Sequence, residues 1–227
     1  PSGYAADPGQ DLGRDPGGQV NFGDPSYYAR VDESDDALFY QMPRLVIHVD
    51  DHASGALAEY FAGALPPGGR VLDLMSSYRS HLVEHGGHGD VIGLGMNVAE
   101  LRQNPALAAG IIQDINKLPT LPFADTVFDA CILSFSMQYL TQPIAVLAEV
   151  ARCLKPGGTF FTSYSNRLFP TKAVAVWRSC SDAQRAQLIG QYLDETGAYA
   201  DIQGQQLVDA TSGFDPLYVV SGTKRSA

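Results

Sequence analysis

Three runs of sequence decide the fold: RVLDLMSSYRSHL at 70–82, VIGLGMNVAEL at 91–101 and IIQDINKLPTLPFADTVFDACIL at 111–133. Each contains a short aliphatic block that ends in a small or polar turn residue. The blocks are apolar at nearly every position instead of alternating, which is the pattern of strands buried on both faces. Five strands are read at 71–74, 91–94, 110–113, 128–134 and 159–163, with helices between them at 80–85, 98–104 and 144–154. Strand and helix in alternation imply a parallel sheet covered on both faces. A ligand of such a sheet lies beyond the carboxyl ends of the strands, so the turns after residues 74, 94, 113 and 134 are where chemistry is sought.

Outward from this centre, DDHASGALAEYFAGAL at 50–65 has an acidic first turn and apolar Leu57, Tyr60, Phe61 and Leu65 on one stripe, and Pro66 and Pro67 stop it. Lys155, Pro156, Gly157 and Gly158 end the helix after the fourth strand. A further helical region follows Pro170, with a second start at Ser181, where Ser181 and Gln184 form a capping box. The tail alternates polar and apolar residues through YADIQGQQLVDA and PLYVVSGTK, the pattern of an antiparallel pair closing the sheet. Residues 1–36 are rich in Gly, Pro, Asp and Ser and form a flexible acidic arm, leaving 37–227 as the α/β domain. Phe22, Tyr27 and Tyr28 give that arm the option of docking over the pocket as a lid.

Composition narrows the partners. The chain has 227 residues, 45% of them hydrophobic, and a formal charge of -10, enough apolar material for one globular core. With no basic run to offset the acids, it repels nucleic acid and anionic membrane surfaces, so a small-molecule substrate is expected. Cys131, Cys153 and Cys180 have no CxxC spacing and no histidines at ligand spacing. They read as reduced core thiols of a cytoplasmic protein, and no metal site is expected. No apolar run reaches the roughly 18 residues that span a bilayer, and no basic-then-hydrophobic start marks export. A monomer or homodimer is expected.

The strings VLDL at 71–74, LPFADTVFDA at 121–130 and LKPGG at 154–158 give the chain from about residue 37 its resemblance to the class I S-adenosylmethionine (SAM)-dependent methyltransferases. The resemblance implies a Rossmann-like fold of seven mostly parallel strands with one antiparallel strand and helices on both faces. It also implies SAM as cofactor, S-adenosylhomocysteine as product, and methyl transfer to a small-molecule acceptor. A nicotinamide-dependent oxidoreductase is disfavoured, because the G-x-G-x-x-G phosphate turn is absent.

Residue by residue, the resemblance places Asp73 at the family's first acid, with Met75, Ser77 and Arg79 where alternating glycines usually stand. SAM carries no phosphate, and the hydroxyls of Ser76, Ser77 and Ser80 or the Arg79 guanidinium would serve its methionyl carboxylate; the other reading is a loop that has filled the pocket. Gly95 occupies the place of the acid that grips the ribose, with Met96 beside it and Asn97 the nearest substitute, although Asn97-Val98-Ala99-Glu100 also has the form of a helix start. Asp114 would accept from the adenine amino group, and the Ile115 N–H would meet a ring nitrogen. Ser134, Ser136 and Gln138 follow the fourth strand, beside Tyr139. For a protonated acceptor a general base is needed, and among His48, His52, His81, His85 and His88 the preferred one is His48. Tyr40, Arg44, Asn166 and Arg167 are expected around the substrate, with Lys172 and Trp177 over the same mouth. The alternative function is a methyltransferase-fold protein that has lost methyl transfer and binds a ligand or catalyses another reaction.

Overall fold

The computed structural model describes residues 21–83 and 86–226. In chain order they form α1 (Asp36–Phe39), α2 (Asp51–Ala64), β1 (Val71–Leu74), β2 (Val91–Gly95), α3 (Val98–Gln103), β3 (Ala109–Ile112), β4 (Phe128–Ser134), α4 (Pro143–Cys153), β5 (Leu154–Tyr164), α5 (Ala175–Ser179), α6 (Asp182–Glu195), β6 (Tyr199–Val208) and β7 (Leu217–Lys224). The strands make one sheet in the order β3-β2-β1-β4-β5-β7-β6. The first five strands run parallel, and β7 inserts antiparallel to both β5 and β6. The chain steps outward from β1 through β2 to β3 and then crosses back to β4, so the topological switch lies between β1 and β4, where a ligand crevice opens.

Period-two alternation divides the buried strand residues between two cores. Leu72, Leu74, Cys131 and Leu133 face α4 and α6 in one cluster, while Val71, Val91, Ala130, Ile132 and Phe161 face Ala53, Leu57 and Phe61 of α2 in the other. α2 begins where the Asp50 side chain accepts from Ala53 N, and α6 begins at the expected capping box of Ser181 and Gln184. Gly157 takes the left-handed conformation, φ 77°, that the LKPGG turn requires. Cys131, Cys153 and Cys180 are free and buried.

Two expectations need correction. Residues 80–83 are not helical, because Ser80 points inward: its hydroxyl donates to Asp73 at 2.6 Å and accepts from Asn104 Nδ2 at 2.9 Å, so it cannot cap a helix. His81 follows in the left-handed region at φ 53°, and His85 lies outside the described residues. The second correction concerns the arm, of which 1–20 lie outside the described residues. From Asn21 onward it is seated on the domain. Ala175 N donates to Ala29 O at 2.9 Å and Asp32 N to Thr171 O at 2.9 Å. Lys172, expected over the pocket mouth, is fully buried beneath the arm, with Nζ 3.1 Å from Asp36 and 3.3 Å from Asp32. Arg30 Nη1 donates to both Asp36 oxygens at 2.8 Å. Burial alone would raise the Asp36 pKa, but Arg30, Asn116 and Lys172 outweigh it and hold the carboxyl below its usual range. The Phe22 ring packs on Tyr192 of α6 at 5.2 Å and Tyr28 donates to Phe22 O. Phe22, Tyr27 and Tyr28 therefore form no lid over the cavity; Asp36, Tyr40 and the loop after them reach it instead.

Candidate active site

A cavity of about 290 Å³ opens at the carboxyl ends of β1 to β4, walled by residues 40–49 and 167–169. Three of the non-glycine residues with positive φ line it: Met75 at 54°, His81 at 53° and Phe135 at 54°. Left-handed backbone costs an ordinary residue roughly 1–2 kcal/mol, so the surrounding contacts hold these turns in place, as at many functional sites. Met75, which the resemblance places at a glycine position, takes the left-handed backbone that favours glycine.

The turn after β1 is built around Asp73. Its Oδ2 accepts from Ser76 Oγ at 2.5 Å and Ser80 Oγ at 2.6 Å. Burial pushes its pKa up to about 6, even though the two serine hydroxyls pull it down. Ser77 Oγ donates to Glu100 Oε2 at 2.7 Å. The three hydroxyls expected to serve the methionyl carboxylate are therefore committed inside the turn; Ser76 and Ser77 contribute to the cavity wall, but their donors are spent. Arg79 lies 4.1 Å over the Tyr78 ring, with Nη2 donating to Tyr78 Oη, and it makes no ion pair among the described residues.

At the end of β2, Gly95 has a steric reason. A Cβ there would stand 2.2 Å from Ser76 O, so the Met75–Ser76 turn excludes any acid at this position. Asn97, offered as the substitute, is spent as a cap: Oδ1 accepts from Ala99 N and Glu100 N, and Nδ2 donates to Tyr40 O and Gln41 O. The acid at this corner is Glu100, buried on α3, accepting from Ser77 Oγ and from Arg44 N at 2.7 Å. Sequence reading treated Glu100 only as part of a helix start; its position four residues into an amphipathic run beside Gly95 was the available signal.

After β3, Asp114 Oδ1 accepts from Asn116 N at 3.0 Å and Lys117 N at 3.3 Å, the turn role its residue type favours. Its buried Oδ2 has no hydrogen-bond donor, and Lys117 Nζ stands 3.8 Å away. Ile115 and Met96 line the cavity beside it. After β4, Ser134 Oγ is buried without a partner and Ser136 Oγ donates to Ser134 O. Gln138 is expected in the site but turns away, with Nε2 donating to Phe135 O, and does not line the cavity. Tyr139 does; its hydroxyl accepts from Phe169 N at 2.8 Å, and burial raises its pKa.

The remaining wall brings together Tyr40, Arg44 and His48 with Phe169, which sequence reading missed. His48 meets Phe169 edge-on at 5.5 Å, and desolvation lowers its imidazole pKa despite the opposing Glu100 charge. His81 joins the wall with Nδ1 2.9 Å from Ser54 Oγ, and desolvation lowers its pKa to about 4. Arg167 lines the mouth but is paired with Asp215 at 2.7 Å. Asn166 and Trp177 do not line the cavity, Trp177 being buried in the core. Among the described residues no group of three or more His, Cys, Asp or Glu is placed to hold a metal.

This is the cavity of a Rossmann-like methyltransferase fold. The family described as "Methyltransferase domain" matches residues 77–162, beginning within the altered turn after β1. A demethylmenaquinone methyltransferase of Mycolicibacterium vanbaalenii is 36% identical over 115 residues, covering 47% of this chain and 48% of that protein. The chain spans about half the length of the curated relatives it matches. Among solved structures, a SAM-dependent methyltransferase from Aquifex aeolicus superposes with a TM-score of 0.54 at 16% identity, covering 77% of this chain and 94% of the other. The [4+2]-cyclase SpnF superposes with a TM-score of 0.58 at 14% identity, over 80% and 89%. The chain thus has the fold of the class I methyltransferases and is similar in sequence to methyltransferases over its central part.

Proposed function

We propose that this protein transfers a methyl group from SAM to a small-molecule acceptor. The observation that carries the reading is Asp114: a buried carboxylate oxygen without a donor, at the carboxyl end of β3, in the crevice where the sheet changes direction. A buried acceptor without a hydrogen-bond donor costs about 1–3 kcal/mol, and an exocyclic amino group would relieve it. The wall also fits the rest of SAM: Ile115 beside Asp114, the Arg79 guanidinium for the carboxylate, and the buried Glu100 carboxylate for hydroxyls or the ammonium. When bound, SAM supplies an electrophilic methyl on a sulfonium centre.

The chain's own part is to bind, align and exclude water, which is where most of the gain in such a displacement arises. Tyr139, fixed by Phe169 N, and Phe135 close the floor after β4. His48 is held largely neutral by desolvation and stands ready to accept a proton from a hydroxyl acceptor. The acidic chain, with a formal charge of -10, favours a small acceptor over nucleic acid or a membrane surface, and buried free thiols suit the cytoplasm. No described helix is long and apolar enough to cross a membrane.

A second reading is favoured by Met75 and Gly95, which stand where the family's glycine and ribose acid are usual: the fold here serves a reaction other than methyl transfer, as the SpnF name records for that protein. Calorimetric titration separates the two. SAM and S-adenosylhomocysteine should bind in the micromolar range, and Asp114→Ala should weaken both by about 10- to 100-fold, the worth of one hydrogen bond to a charged acceptor, with little change in Tm. A folded wild-type protein that binds neither would leave the second reading.

A further inference from the structure

We infer that Arg44 is the recognition site for an anionic oxygen on the acceptor, which is therefore a flat, apolar molecule carrying a carboxylate or an ionised hydroxyl. This rests on the methyl-transfer reading of the cavity. Arg44 lies on the wall formed by residues 40–49, its backbone N–H held by Glu100 Oε1 at 2.7 Å and its Nη2 donating to Phe39 O at 3.0 Å. Nη1 is buried and has no acceptor. The guanidinium makes no carboxylate contact among the described residues; it is held against aromatic faces, 4.4 Å from the Phe39 centroid and 5.1 Å from that of Phe169. Cation–π contact steadies a guanidinium but leaves its N–H groups unsatisfied. A buried donor without a partner is costly, and an anion accepting from Nη1 removes that cost.

A count of charges gives the second argument. Three arginines line the cavity, and Arg167 is already paired with Asp215. That leaves Arg79 and Arg44, whereas SAM has a single carboxylate. Arg79 stands in the segment after β1, beside the turn expected to hold the methionyl end, and takes that group. Arg44 shares the cavity wall with Tyr40 and His48, and the apolar lining of the cavity includes Val46, Ile47, Phe135, Leu168 and Phe169. An anionic oxygen on Nη1 would hold a flat ring against Phe169, next to His48 and Tyr139.

The test uses the full chain saturated with S-adenosylhomocysteine and titrates 1-hydroxy-2-naphthoate against its neutral amide. The acid should bind at least tenfold more tightly than the amide. Arg44→Met should abolish that preference and Arg44→Lys should keep part of it, while the affinity for S-adenosylhomocysteine stays within about twofold. Equal binding of acid and amide to the wild type, or no binding of the acid up to millimolar concentration, overturns the inference. So does an Arg44→Met protein that loses S-adenosylhomocysteine but keeps 5′-methylthioadenosine, since Arg44 would then hold the cofactor's carboxylate. The Lys variant guards against misfolding of the Met variant. A wild type that prefers the acid yet does not bind S-adenosylhomocysteine would count against methyl transfer and leave the anion site standing.

Discussion

Replacing Asp73 by Asn should stabilise the protein at neutral pH and do nothing in acid. The Asp73 carboxyl is fully buried, no ion pair offsets its charge, and its donors are the hydroxyls of Ser76 and Ser80. Its pKa rises from an ordinary 3.8 to about 6. In the window between those values the native state holds a proton that the unfolded chain has released, so stability falls as pH rises through it. Above pH 6 the full cost of the buried charge is present. At about 1.4 kcal/mol per tenfold, that cost is about 3 kcal/mol. Asn is nearly isosteric, stays neutral and can accept from the same two hydroxyls, so Asp73→Asn should remove the cost. Urea unfolding of both proteins at intervals from pH 4 to pH 8 measures it. The difference should be near zero at pH 4, grow by about 1.4 kcal/mol per pH unit and level off near 3 kcal/mol above pH 6. A difference that is flat with pH, or an Asn variant less stable than wild type at pH 7, would refute the argument by showing that the carboxylate is satisfied as an anion.

Gly95→Asp looks like restoration of a missing acid, but its Cβ would meet Ser76 O at 2.2 Å. It should lower stability by about 1–3 kcal/mol, as overpacking does, without tightening S-adenosylhomocysteine, and a gain in affinity by calorimetry would contradict the steric account. Lys172→Met removes the cation buried between Asp32 and Asp36 and should cost about 3–5 kcal/mol in urea unfolding, because the Asp36 carboxylate beneath the arm loses a partner. A loss below 1 kcal/mol would mean that Arg30 and Asn116 suffice.

Much of the fold was legible because it depends on local pattern. Apolar blocks at 71–74 and 128–134 became β1 and β4 at those bounds, Asn97 and Ser181 capped α3 and α6, and the alternating tail became β6 and β7. Of the expected site residues, His48, Tyr139 and most of those expected around cofactor or substrate line one cavity, with Ser80, Gln138, Asn166, Lys172 and Trp177 as the exceptions. The turns after parallel strands converge by topology, so naming the strands nearly names the wall.

What the sequence determined by itself is therefore the sheet, its helices and the set of loops that meet at its edge, since periodicity, caps and turn residues act over a few positions. Only the tertiary structure decided what each side chain does there. Ser76, Ser77 and Ser80 read as free hydroxyls until Asp73 and Glu100 are seen to take them. Lys172 reads as a charge at the pocket mouth until Asp32 and Asp36, some 140 residues earlier in the chain, are found around it. Gly95 reads as a loss until the carbonyl of Ser76 is placed against it. Hydrogen bonding and steric exclusion depend on which distant groups share a small volume, and that is set only when the chain has closed on itself.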